Sequence, residues 1–187
     1  MPGCIIIFHF DLNHYQPNAV IVVSFKIIIM LLKDNKPLIF TTDIHWSGDK
    51  SGIVSSHSIK DPLLVATPPE FGGPEGEWSP EHLFLSSITS CFMSTYLVFI
   101  NKMKIDNKNF DCTATGQVEI VDGKYKFTYI HIYPKAFVGN DADTERAQVA
   151  MEKAKKYCLI SNSINAEIIV YPEVAVSKQN MVINTAA

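Results

Sequence analysis

Apolar positions along this chain fall into two rhythms, and the switch between them marks out the elements. Leu38–Ile44 is a short apolar run of strand character, followed by Trp46-Ser-Gly-Asp-Lys-Ser-Gly52, which has the composition of a turn. Ile53–Ser56 and Leu63–Ala66 continue the run as strands of a small antiparallel meander. Pro68-Pro69-Glu70-Phe71-Gly72-Gly73-Pro74 then forbids both helix and central strand, because prolines remove donors and glycines loosen the chain.

Ser79-Pro80-Glu81 starts a helix. Ser79 suits the N-cap, Pro80 the first helical position, and Glu81 the positive end of the dipole. The pattern carries the helix to about Met103 with apolar residues nearly all round, so burial on most sides is expected. Phe84, Ile88, Cys91, Thr95 and Val98 recur at helical spacing. Thr113–Val121 and Lys124–Tyr133 flank Asp122-Gly123, a strong hairpin signal. Asp141–Asp143 caps a second helix to about Tyr157, with Ala147, Ala150, Met151, Ala154 and Cys158 along one side. Glu167–Val174 reads as a last strand. Strands, a long helix, a hairpin, a second helix and a strand make an α+β fold, not a doubly wound one. A single sheet covers such a helix poorly, and a second subunit would cover it better, so a dimer is expected.

The domain pattern occupies residues 38–175, with residues 1–37 as an N-terminal extension and 176–187 as a tail. Two apolar runs lie in that extension, Ile5–Phe10 and Val20–Leu32, the second interrupted by Lys26 and short for a bilayer. Three readings stand: a membrane-touching segment, an added strand or helix, or sequence ahead of a true start at Met30. The domain pattern begins only after Met30, which favours the last.

Composition changes this picture little. Hydrophobic residues are 47% and charged residues 19% of 187, as in a globular domain. A net charge of -3 supplies no basic field for nucleic acid or an anionic membrane, and neither is expected as a partner. Four scattered cysteines without a C-x-x-C pair do not make a secreted disulfide framework, which points to the cytoplasm. The histidines show no ligand spacing, so neither a metal nor a cofactor is expected. Chemistry, if present, belongs to thiols. Cys91 lies mid-helix and Cys158 ends the second helix, an arrangement that permits the two to meet if the helices cross; each also reads as an ordinary buried hydrophobe. Cys112 opens a strand and reads as packing, Cys4 lies in the extension, and His82 stands where it can line a site mouth. The only arginine, Arg146, reads as a solvated or salt-bridged residue of the second helix.

Several motifs occur in order: Trp46-Ser-Gly-Asp-Lys-Ser-Gly-Ile-Val, Thr67-Pro-Pro-Glu-Phe-Gly-Gly, Ser79-Pro-Glu-His-Leu-Phe-Leu, Ser90-Cys91-Phe-Met, Ala154-Lys-Lys-Tyr-Cys158-Leu-Ile-Ser-Asn-Ser and Ala166-Glu-Ile. With them, the stretch from about Trp46 to Val174 resembles the OsmC/Ohr family of thiol peroxidases. The resemblance implies an intertwined homodimer with two long central helices wrapped by antiparallel β-sheet. It implies an organic hydroperoxide substrate, Cys91 as the attacking thiol, Cys158 as its disulfide partner, and a lipoyl-type dithiol as reductant. It also implies that Glu70 holds an activating cation. That cation is usually an arginine in the first Gly-rich turn, where this chain has Lys50. A lysine lacks the planar fork that serves carboxylate and thiolate together. Lys50 is then a weaker substitute, a sign of another thiol-dependent substrate, or a plain turn-tip residue. A non-enzymatic dimer binding a small apolar ligand is the remaining alternative.

Overall fold

The computed structural model describes residues 37–177. The expectations for the N-terminal extension and for most of the tail fall outside these residues. Residues 37–41 form no regular element, and the folded unit begins at Thr42. The first strand is therefore β1 (Asp43–Gly48) rather than Leu38–Ile44. Its extent follows its partner: β2 (Ser51–Ser55) pairs Asp43 with Ser55 and Gly48 with Ser51 around a tight reversal. Gly48 at φ 123° and Asp49 at φ 42° give that reversal its shape. β3 (Leu63–Ala66) completes the antiparallel meander.

The proline-glycine loop has the special shape its composition suggests. Gly72 is left-handed at φ 76°, and a Cβ on Gly73 would lie 1.6 Å from the Thr67 carbonyl oxygen, so only glycine fits there. A parallel bridge between Val65 and Trp78 then leads into α1 (Pro80–Met103). Ser79 caps α1 through its side chain, and the His82 ring accepts from the Ser79 N–H in return. Histidine thus takes the part that glutamate or glutamine usually plays in a capping box.

The buried stripe of α1 is Ile88, Phe92, Tyr96 and Ile100. It replaces the expected stripe through Phe84, Ile88, Cys91, Thr95 and Val98: Cys91 lies at its edge and Val98 is exposed. A helix apolar on nearly every side does not select its own inner face; the sheet does. Ser87, Ser90, Ser94 and Thr95 turn their hydroxyls back onto carbonyls of the preceding turn. The outer face is left narrow, open and largely without free donors. By length and apolar content α1 is also sufficient to cross a bilayer, though here one side of it packs on β4 and on the second helix.

β4 (Asn107–Val121) and β5 (Lys124–Val138) form a hairpin longer than its alternation alone suggests, turning at Asp122-Gly123. α2 (Thr144–Tyr157) follows, and Ala147, Ala150, Met151 and Ala154 are fully buried against α1. Small side chains let the two helices approach closely. The last strand divides in two, β6 (Glu167–Val170) and β7 (Glu173–Val176), both parallel to β5. Pro172 falls in the break. The sheet is accordingly mixed, and the fold is α+β as expected.

Asp143 ties the far end together. Its buried carboxylate accepts from the Asp106 N–H at 3.1 Å and the Asn140 amide at 3.1 Å, and it pairs with Arg146. Arg146 also donates to the Met103 carbonyl at the end of α1. The arginine is salt-bridged, as its sequence position suggests.

Candidate functional site

Cys91 is half-buried on α1, and Cys158 is fully buried at the C-cap of α2. The packing of the two helices brings their side chains within interaction range of each other. Cys158 is held firmly. Its N–H donates to the Ala154 carbonyl at 2.9 Å, and its carbonyl accepts from the Asn162 side chain at 2.9 Å and the Asn162 N–H at 3.1 Å. Ser161 Oγ donates to Cys158 Sγ at 3.1 Å.

Burial pushes the Cys158 thiol up, the Ser161 hydroxyl partly offsets this by favouring the thiolate, and Cys91 adds to the rise. Cys158 is thus a protonated thiol at neutral pH. Such a group suits a partner that waits for an electrophilic sulfur better than one that attacks first.

Cys112 was expected only as packing. It does pack, on the cluster of Ile88, Ile130 and Ile132, but it also lies within electrostatic reach of Cys158. Burial, then Cys158, push its thiol up to about 11. No local signal announces this third thiol, because its neighbours come from distant elements.

Lys50 and Glu70 meet differently from the sequence expectation. Lys50 Nζ donates to the Phe71 carbonyl at 2.8 Å, one residue past Glu70, and no ion pair joins it to the Glu70 carboxylate among the described residues. The ammonium lies against Gly72, where a Cβ would come within 2.8 Å of Nζ. Within one chain no hydrogen bond or ion pair among the described residues links Lys50 or Glu70 to either thiol. The structure gathers two clusters, Cys91 with Cys158 and Lys50 with the Glu70 loop, and does not join them.

Beside the loop opens a cleft of about 900 Å³. Phe71, Leu85, Tyr125 and Phe127 give it an apolar wall, while Glu70 and Glu81 stand at its polar side. Glu81 Oε2 is buried there without a hydrogen-bond partner. His82, expected at a site mouth, does line this cleft. Cys91 does not. Among the described residues no group of three or more histidine, cysteine or acidic side chains is arranged to hold a metal ion.

Comparison with known proteins agrees with this fold. A family model described as OsmC-like protein matches residues 72–173, a span that contains both Cys91 and Cys158 but neither Lys50 nor Glu70. An uncharacterised protein of Methanocaldococcus jannaschii is 36% identical over 92 residues, 48% of this chain and 46% of that protein. The match therefore spans about half the length of that relative. An OsmC-like protein of unknown function from Vibrio cholerae has the same fold, with a TM-score of 0.67 at 16% identity over 73% of this chain and 99% of that one. An organic hydroperoxide resistance protein OsmC from Legionella pneumophila superposes with a TM-score of 0.59 at 25% identity, over 76% of this chain and 100% of that one. With the family model covering more than half of its residues, the chain belongs to the OsmC-like protein family.

Proposed function

We propose that this protein is a homodimeric, thiol-dependent peroxidase that reduces organic hydroperoxides. The observation that carries the proposal is the closeness of Cys91 and Cys158 where α1 packs on α2. The likeness to a protein named for organic hydroperoxide resistance supports the choice of oxidant. In the proposed cycle the Cys91 thiolate attacks the distal oxygen of the peroxide. The O–O bond breaks, an alcohol leaves, and the sulfur becomes a sulfenic acid. The Cys158 thiol then displaces hydroxide from that sulfur, releasing water and forming the Cys91–Cys158 disulfide. A small dithiol of lipoyl type, supplied by the cytoplasm, returns both sulfurs to thiols by exchange.

The division into two clusters fits a site completed across a dimer. The β1–β3 meander exposes Ile44, Trp46 and Leu64, and α1 exposes Met93 and Val98, so both elements present apolar faces for a second copy. On this reading the Lys50 ammonium of one subunit reaches the Cys91 sulfur of the other, with Glu70 beside it.

Turnover of an organic hydroperoxide with a dithiol reductant tests the proposal. Wild type should consume peroxide catalytically and Cys91→Ser should not. Peptide mapping after one equivalent of peroxide should recover a Cys91–Cys158 bridge. Peroxide loss equal in wild type and Cys91→Ser would overturn the reading in favour of a ligand-binding dimer whose cysteines only pack.

A further inference from the structure

Cys112 stands at the level of Cys91, and the packing of β4 on α1 places it there. At one end of the contact the Phe110 and Tyr96 rings lie 4.9 Å apart between centroids. At the other, Gly116 faces Leu85, whose Cδ2 would be 3.0 Å from a Cβ on that glycine. The strand therefore runs antiparallel to the helix. Cys112, two residues from Phe110, lies about 7 Å along the strand, which corresponds to between four and five helical residues back from Tyr96. That is the level of Cys91 and Phe92. Cys112 points inward onto the cluster of Ile88, Ile130 and Ile132. Ile160, two residues past Cys158, packs on the same Ile88, Ile130 and Ile132 cluster as Cys112, so thiols from α1, β4 and the end of α2 gather around one layer, with Cys158 in electrostatic reach of both of the others.

We infer that Cys112 is a third redox-active thiol, which takes the bridge to Cys158 over from Cys91 by intramolecular exchange. The inference rests on the Cys91–Cys158 disulfide of the proposed function. In the step, Cys112 loses its proton and its thiolate attacks Cys158 Sγ in that disulfide. A Cys112–Cys158 bond forms, the Cys91–Cys158 bond breaks, and its electron pair leaves on Cys91 Sγ, which takes up a proton. Oxidation state is conserved: the two-electron oxidation of the disulfide stays in the protein, Cys158 keeps its half, and the other half passes from Cys91 to Cys112. Cys91 becomes a thiol again before any external reductant arrives.

Burial sets the pace. A thiol held near 11 is rarely ionised at neutral pH, so transfer is slow there and accelerates as pH rises. It is helped by the high effective concentration of a neighbour in the same fold.

The full chain with Cys4→Ser is oxidised in two parallel arms, one equivalent of organic hydroperoxide or one of diamide, a reagent that joins thiols without a peroxide step. After removal of the oxidant, samples are quenched with acid at intervals, alkylated and mapped. In both arms the Cys91–Cys158 peptide pair should decline while Cys112–Cys158 rises by the same amount and Cys91 becomes alkylatable. The transfer rate should rise about tenfold per pH unit between pH 7 and 9. Cys112→Ala should keep the Cys91–Cys158 pair unchanged over the same interval. A Cys91–Cys158 bridge that persists in wild type at pH 9, or a transfer rate independent of pH, overturns the inference and leaves the peroxidase reading standing. Transfer seen with diamide but no bridge with peroxide overturns the peroxidase reading and leaves the exchange standing. Failure of any bridge in the diamide arm overturns the exchange.

Discussion

Lys50 Nζ donates to the carbonyl of Phe71 at 2.8 Å, so the cation is held by the backbone of the Glu70 loop and not by the Glu70 carboxylate itself. This hold depends on Gly72, which is left-handed and lies directly under the ammonium. If Lys50 is the charge that favours the Cys91 thiolate in the assembled protein, Lys50→Ala should slow Cys91 alkylation at neutral pH by roughly tenfold, the effect of one lost neighbouring charge. Lys50→Arg should match or exceed wild type, because a guanidinium can bond thiolate and carboxylate together. Gly72→Ala should resemble Lys50→Ala, by displacing the ammonium. The measurement is the rate of Cys91 alkylation with Cys4, Cys112 and Cys158 changed to serine. Equal rates in all variants remove Lys50 from the site.

Ser161 makes a separate forecast. Its hydroxyl donates to Cys158 Sγ and partly offsets the effect of burial on that thiol. Ser161→Ala removes that hydrogen bond, so the Cys158 titration should move upward. Thiolate absorbance against pH, with Cys4, Cys91 and Cys112 changed to serine, reads this directly. A downward shift would mean that the serine hydroxyl accepts from the thiol instead of donating to it.

How much of this was legible beforehand depended on whether the cause was local. The start of α1 at Ser79-Pro80-Glu81, the Asp122-Gly123 turn and the alanine face of α2 each rest on residues a few positions apart, and each is where the pattern puts it. The meeting of Cys91 with Cys158 followed from the resemblance, and periodicity alone only permitted it. The buried stripe of α1 was not legible, because apolar residues on every side leave the choice to the sheet. Nor was the level of Cys112, which depends on the register of β4 against α1. The break at Pro172 was readable and the expected single strand overlooked it: a proline within a strand pattern is itself a signal. His82 as a cap partner was missed because a capping box is usually sought with glutamate or glutamine.

Asp143 predicts an acid limit to stability. The Asp106 N–H above all, then Asn140 and Arg146, hold its carboxyl below the ordinary carboxylate range, although burial opposes them. A depressed folded value means that the carboxylate stabilises the fold above the unfolded value of about 3.9, and that this contribution is lost as pH falls through the folded value. The difference in Tm between wild type and Asp143→Asn should therefore be full at pH 7 and shrink below about pH 4. A constant difference across that range would show that the substitution acts through the shape of the amide and not through lost charge. Arg146→Met, which removes the neighbouring charge but keeps the backbone donor, should give a smaller drop at pH 7 than Asp143→Asn.

The open face of α1 makes the oligomer testable. Its inner stripe is filled by the sheet and α2, yet Met93 and Val98 remain exposed beside serines whose hydroxyls are already spent on their own helix. Such a face gains by burial against another apolar surface: it is narrow enough for close approach and has few donors left to lose. The meander adds Ile44, Trp46 and Leu64. We expect a dimer at micromolar concentration, with an interface well above the roughly 1,600 Å² of a standard complex. Val98→Lys would place an unpaired charge in that interface, at a cost of about 3–5 kcal/mol, and should raise the dimer dissociation constant by at least about 100-fold. Val98→Ala, which removes only apolar area, should raise it by far less. Sedimentation velocity distinguishes the species, and circular dichroism on the same samples shows whether the lysine variant stays folded as a monomer. A wild-type chain that sediments as a stable, folded monomer would remove the dimer, and with it the proposed route by which Lys50 reaches Cys91.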